Sequence, residues 1–234
     1  WVQLVDKTFL LVRALADLTP ATPERRDTLA RELYRGGAGC GRPDRWAAFL
    51  GAANDLLRSG PRHLVPDSPD ALRRAADALD GALPTGAAAA LAALRPSALP
   101  AVRPALDPLT PAVIRAVARW RDGGPLSVVH DRQRALTDER IASITASAPG
   151  QVRLRLVDSR TDPRVQVADF VAGVARKLAS AELAGRGDPE LVALLRQYVD
   201  PPQPWGDERS ASVLGLSDAG TADRGPASRP PRCG

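Results

Sequence analysis

Two short apolar runs, residues 126–129 and 152–157, are separated by a stretch long enough to be a helix, and this spacing constrains the fold more than any other feature. The first run follows the turn-forming series Asp122-Gly123-Gly124-Pro125 and contains the β-branched pair Val128 and Val129, which marks a strand. In the second, Val152, Leu154 and Leu156 alternate with Arg153 and Arg155, the period of a strand with one apolar face. Residues 137–148 between them read as a helix. Strands joined through a helix-length crossover pair in parallel, because a tight hairpin is not open to them. Asp162 and Pro163 then open a long helix to about Leu183, and residues 189–198 form another. The outline βαβα predicts an α/β fold with a small sheet flanked by helices.

The first half is helix-rich. Residues 1–18 place Leu4, Phe9, Leu11, Val12 and Leu15 nearly all round a helix, which suits a buried one. Residues 23–34, 44–57 and 69–83 follow as helices, the last with Ser68 as N-cap and Pro69 in the first turn. Residues 86–94 are alanine-dense, after which Pro96, Pro100, Pro104, Pro108 and Pro111 prevent a continuous helix and suggest a connector. A helix at residues 111–121 leads into the first strand. The expected organisation is one domain over residues 1–200, with a helical insertion over about 23–110. A tail rich in Pro, Gly, Ser and Arg, residues 201–234, has too few apolar anchors to offset its ordering entropy.

Composition narrows the function classes. With 234 residues and 44% hydrophobic content, the chain can bury a sizeable core. The longest apolar run near the start, residues 9–12, lies between Lys7 and Arg13 and is far short of the roughly 20 residues a membrane span needs. No membrane partner is expected, and the absence of a leader-like start points to the cytoplasm. The chain contains no methionine, so it is expected to begin inside a longer reading frame or processed product. Cys40, in a glycine-rich stretch, and Cys233 lack the paired spacing of a zinc site. The net charge of +5 and pI near 10.0 suit a nucleic-acid partner, since bound cations displace counterions from phosphates. The basic residues are nearly all arginine, with only Lys7 and Lys177 as lysines, so coding bias explains the charge equally well.

The residues that could carry chemistry cluster in the second half. The first strand ends in His130-Asp131 and the second runs into Asp158-Ser159, at the carboxyl ends where open α/β sheets bind ligands. In the following helix, steps of three and four place Gln166, Asp169, Gly173 and Arg176 on one face and Val167, Val171, Val174 and Leu178 on another. Each acid also has a simpler reading: Asp131 and Asp158 as turn or cap residues, Asp169 as an ion-pair partner of Arg164 or Arg176. Taken together, three carboxylates fit a hard cation such as Mg²⁺, which prefers oxygen ligands and keeps waters and substrate phosphate. His130 could carry a proton.

The strings Val128-Val129-His130-Asp131-Arg132, Leu156-Val157-Asp158-Ser159-Arg160 and Val165-Gln166-Val167-Ala168-Asp169-Phe170-Val171-Ala172-Gly173 resemble the carboxyl half of the bacterial domain-of-unknown-function family 3800, an RNase H-like family. The likeness covers roughly residues 110–200. It implies an RNase H-like fold and a metal-dependent nuclease or a degenerate relative of one. Asp131, Asp158 and Asp169 would be the catalytic and Mg²⁺-binding residues, supported by His130, Ser159, Gln166 and Gly173. Members of that family usually begin with a strand bearing Asp-Glu-Ser, which this chain lacks, so the chain is expected either to be truncated at the amino terminus or to be a divergent member without activity. The rival expectation is a non-catalytic interaction or scaffold protein, a defence or mobile-element accessory, in which the acids only cap helices and pair with arginine. Its protein partners are not legible.

Overall fold

The structure is a computed structural model that describes residues 1–58, 68–79, 81, 83–92, 106, 108–120, 124–134, 136–148, 150–199 and 205–216. The element order is α1 (Lys7–Asp17), α2 (Pro23–Gly39), α3 (Pro43–Arg58), α4 (Ser68–Asp77), α5 (Thr85–Ala92), α6 (Leu109–Trp120), β1 (Leu126–Asp131), α7 (Asp138–Ser147), β2 (Val152–Val157), α8 (Pro163–Leu183), α9 (Pro189–Tyr198) and α10 (Glu208–Val213). The chain divides into two compact units. One takes in Trp1, Gln3–Leu106 and Arg196–Gly234, the other Val2 and Asp107–Leu195. This differs from the expected single domain with an insertion: the helices of the first half build a core of their own. Among the described residues, no helix is long and apolar enough to cross a membrane.

In the first unit, α1 begins at Lys7 because the Asp6 carboxylate accepts the backbone N–H groups of Thr8 and Phe9, at 2.8 and 3.1 Å. An apolar pattern read from Trp1 cannot show that cap. Phe9, Val12 and Leu15 of α1 join Leu29 and Leu33 of α2, Phe49 and Leu56 of α3, Leu72 of α4 and Leu91 of α5 in one buried cluster. Trp46 stacks on Phe49 with ring centroids 5.2 Å apart. Helix α2 runs five residues beyond the expected Tyr34, through a stretch that glycine content suggested was a loop. The reason is packing: a Cβ on Gly37 would fall within the Trp46 ring, so glycine lets the helix and the indole approach. The turn comes at Gly41, with φ +63°.

The expected unpacked tail is overturned over residues 205–216. Trp205, Leu214 and Leu216 are buried, and Asp207 caps α10 by accepting the Ser210 N–H at 2.7 Å. Arg31 donates to the Trp205 carbonyl at 3.3 Å, and Arg196 donates to that of Val213 at 2.7 Å. A few well-placed apolar side chains suffice where cationic donors meet the segment's carbonyls. The expected connector through Pro96, Pro100 and Pro104, and the end of the tail, lie outside the described residues.

In the second unit, β1 and β2 pair in parallel, Leu126 opposite Val152 and Asp131 opposite Val157, with α7 as the crossover. The Thr137 hydroxyl caps α7 by accepting the Arg140 N–H. Leu126, Val128, Val152 and Leu156 lie on one sheet face against Val113, Val117, Leu136, Ile144 and Ala148. The alternation puts Ser127, Val129, Arg153 and Arg155 on the other face. The fold class is thus α/β, helix-rich, with a small parallel sheet.

Candidate functional site

Strand pairing brings two of the expected acids to one end of the sheet. Asp131 is the last residue of β1, and its carboxylate Oδ1 accepts the backbone N–H of Ser159, just past β2, at 3.1 Å. That bond ties the strand ends together and gives Ser159 its observed role through its main chain. His130 is half-buried, and its Nδ1 lies 2.7 Å from the Asp131 carbonyl oxygen, to which it donates when that nitrogen carries the proton.

Asp158 turns into a local lock. Its Oδ1 accepts the backbone N–H of Arg160 at 3.0 Å and the Arg160 Nε at 3.1 Å, while its Oδ2 accepts Arg160 Nη2 at 2.7 Å. Its carbonyl takes both the backbone N–H and the hydroxyl of Thr161 at 3.0 Å. Both carboxylate oxygens are therefore committed to a planar guanidinium fork. The Arg160 side chain, joined by its backbone N–H, holds the Asp158 carboxyl down at about 2.

Four residues on, the arrangement repeats. Asp162 caps α8, accepting the Arg164 N–H at 3.1 Å, Nε at 3.0 Å and Nη2 at 2.6 Å, and Arg164 likewise lowers its carboxyl to about 2. Asp162 is one of the few buried polar side chains among the described residues and was not among the expected site residues. The signal was present in Asp158-Ser159-Arg160-Thr161-Asp162-Pro163-Arg164, an acid two residues before an arginine, twice at a spacing of four. Gln166 ties the helix back to this turn by donating from Nε2 to the Arg160 carbonyl at 3.0 Å.

Asp169 stands apart. It is exposed on α8 and, among the described residues, enters no hydrogen bond or ion pair, so neither Arg164 nor Arg176 is its partner. The bulky residues beside it in sequence are exposed too, so hydration replaces the pairing that a buried carboxylate would need. A Cβ on Gly173 would meet nothing within 4 Å, so this glycine serves no close approach among the described residues.

A Mg²⁺ site needs several oxygen ligands free to face one point. Among the described residues no group of three or more His, Cys, Asp or Glu side chains is placed to hold a metal ion. Asp158 has both oxygens on Arg160, and Asp131 has one on Ser159. As arranged, these residues do not fit a preassembled cation site. An open cleft of about 740 Å³ lies at the other end of the strands, lined by Ser127, Thr145, Gln151 and Arg153, away from the acids.

Helix α8 also carries an apolar feature outside the acids. Its buried residues are Val165, Ala175 and Ala179, while Val167 (61% exposed), Phe170 (72%), Val171 (45%) and Val174 (41%) form a stripe facing outward. Residues 166–174 are exposed all round the helix, so these bulky side chains share the solvent with Gln166, Ala168, Asp169, Ala172 and Gly173. No family model, no curated protein and no solved structure matches the chain.

Proposed function

We propose that residues 107–195 form a non-catalytic interaction module that presents the apolar stripe of α8 to a protein partner. The observation that carries this reading is the stripe itself: four bulky side chains at helical spacing in water, each losing the transfer free energy that burial would return. The chemistry of the acids supports it. Asp158 and Asp162 each hold an arginine and Asp131 holds a backbone N–H, the work of turn and cap residues.

A second reading, an RNase H-like nuclease dependent on Mg²⁺ or a degenerate relative acting on nucleic acid, is favoured by one specific observation. Asp131 and Asp158 both lie at the carboxyl ends of paired parallel strands, where α/β sheets place ligands. For that reading Arg160 would have to release Asp158.

Calorimetric titration of the full chain with Mg²⁺ and Mn²⁺, alongside cleavage assays on DNA and RNA, separates the two. The interaction module shows no saturable cation binding and no hydrolysis. Saturable binding together with cleavage that Asp131→Asn abolishes would replace it with the nuclease.

A further inference from the structure

We infer that the outer edge of β2 takes up an extended acidic peptide of a partner protein as a third strand. This edge is separate from the α8 stripe, and its occupant does not depend on what the stripe binds. The ladder fixes which backbone groups are open. Leu126 N–H donates to the Gln151 carbonyl at 2.9 Å and Arg132 N–H to that of Val157 at 2.8 Å, so residues 151, 153, 155 and 157 turn their backbone groups toward β1. The N–H and C=O groups of Val152, Leu154 and Leu156 point the other way, to an edge that no strand occupies among the described residues. Helix α7 lies over the apolar face through Ile144, and α8 approaches β1.

Charge and spacing select the occupant. Parallel sheets are ordinarily covered on both faces, yet the second face of this one carries Arg153 and Arg155, both exposed, with Ser127 and Val129 opposite them. Among the described residues neither arginine enters a hydrogen bond or an ion pair, so both guanidinium groups are free for an anion. They sit two residues apart, roughly 6.6 Å at 3.3 Å per residue, the spacing of side chains on one face of any strand. A neighbouring strand with acids at alternate positions therefore meets both at once. Its intervening apolar residue falls beside Leu154, on the sheet face shared with Val152 and Leu156. A second copy pairing edge to edge about Leu154 would set Arg153 against the other copy's Arg155, which repels. A single nucleic-acid strand would meet the cations but no ring on which to stack a base, since the outward face of the strands holds Ser127, Val129, Asp131, Arg153, Arg155 and Val157. It would also leave the edge amides and carbonyls unmatched, whereas a peptide pairs with them.

The test is fluorescence anisotropy of the full chain with a labelled, strand-length peptide that alternates glutamate and valine. Saturable binding with a Kd below about 1 mM is expected, weakening as salt rises. Arg153→Glu combined with Arg155→Glu replaces two attractive pairs by two repulsive ones. It should lower affinity about tenfold or more with unchanged far-ultraviolet circular dichroism, and should gain binding of the alternating lysine and valine peptide. A second arm leaves the protein unaltered and reads the backbone pairing. Only every second amide of an added strand faces β2, so N-methylation of one alternate set should abolish binding and N-methylation of the other should leave it. Absence of saturable binding, equal loss from the two methylated sets, or a double variant that binds as the parent does overturns the proposal. So does an oligothymidylate that binds more tightly and responds to the same two arginines, because the ligand of this face is then a nucleic-acid strand.

Discussion

The two units use apolar residues in opposite ways. In the first, large side chains from α1 to α5 converge on one core, with Leu15, Leu33 and Phe49 fully buried, and polar groups act mainly at caps and ends. In the second, the buried cluster centres on Val113, Val117, Leu136, Ile144 and Ala148, while α8 keeps its bulkiest residues in water. Burial scales with the apolar area taken from water, so stability concentrates in the first unit and unsatisfied surface in the second. The contrast teaches where to look for function: a surface left exposed beside a modest core is free to bind something else.

The largest expected effect is in the first core. Phe49→Ala removes a fully buried ring stacked on Trp46 and should cost about 3 to 5 kcal/mol, read as a lower denaturant midpoint. A cost under about 1 kcal/mol would mean that the cluster is not the stability centre.

Ile144→Ala should cost about 2 kcal/mol, the low end of its range, because the smaller cluster around it can close on the cavity. Amide exchange should then accelerate through β1, α7 and β2 while α1 and α3 stay protected. Uniform acceleration across both units would break the comparison.

Phe170→Ser should change the stability of the isolated chain by no more than about 0.5 kcal/mol, since a side chain 72% exposed has little packing to lose. A loss comparable to that of Ile144→Ala would show that the ring is part of a core.

The smallest effect is a titration. Asp158 is held at about 2 by Arg160, below the ordinary carboxylate value, so its ion pair contributes above roughly pH 4 and is lost as pH falls through about 2. Arg160→Ala should return the carboxyl toward its ordinary value, followed by carboxyl carbon chemical shift against pH. An unmoved titration would mean that another group holds it.

Much of the second unit was legible in advance because its signals are local. The alternation of Val152, Leu154 and Leu156 fixes a strand, and a helix-length gap before it forces a parallel crossover; the structure pairs these strands as expected. The acids were legible as residues but not as a site. Whether Asp131, Asp158 and Asp169 face one point depends on side-chain partners, and Asp158 finds Arg160 two residues away before any distant ligand.

What the sequence by itself determined is the set of elements with strong periods, such as the alternating strand β2 and the helix-length crossover before it. Tertiary structure alone decided that Gly37 stays helical under Trp46, that Trp205 and Leu216 are buried, and that Val167 and Phe170 face outward. The physical reason is common to all three. Periodicity reports which residues share a face of an element, while the energy of that face depends on what another part of the chain brings to it.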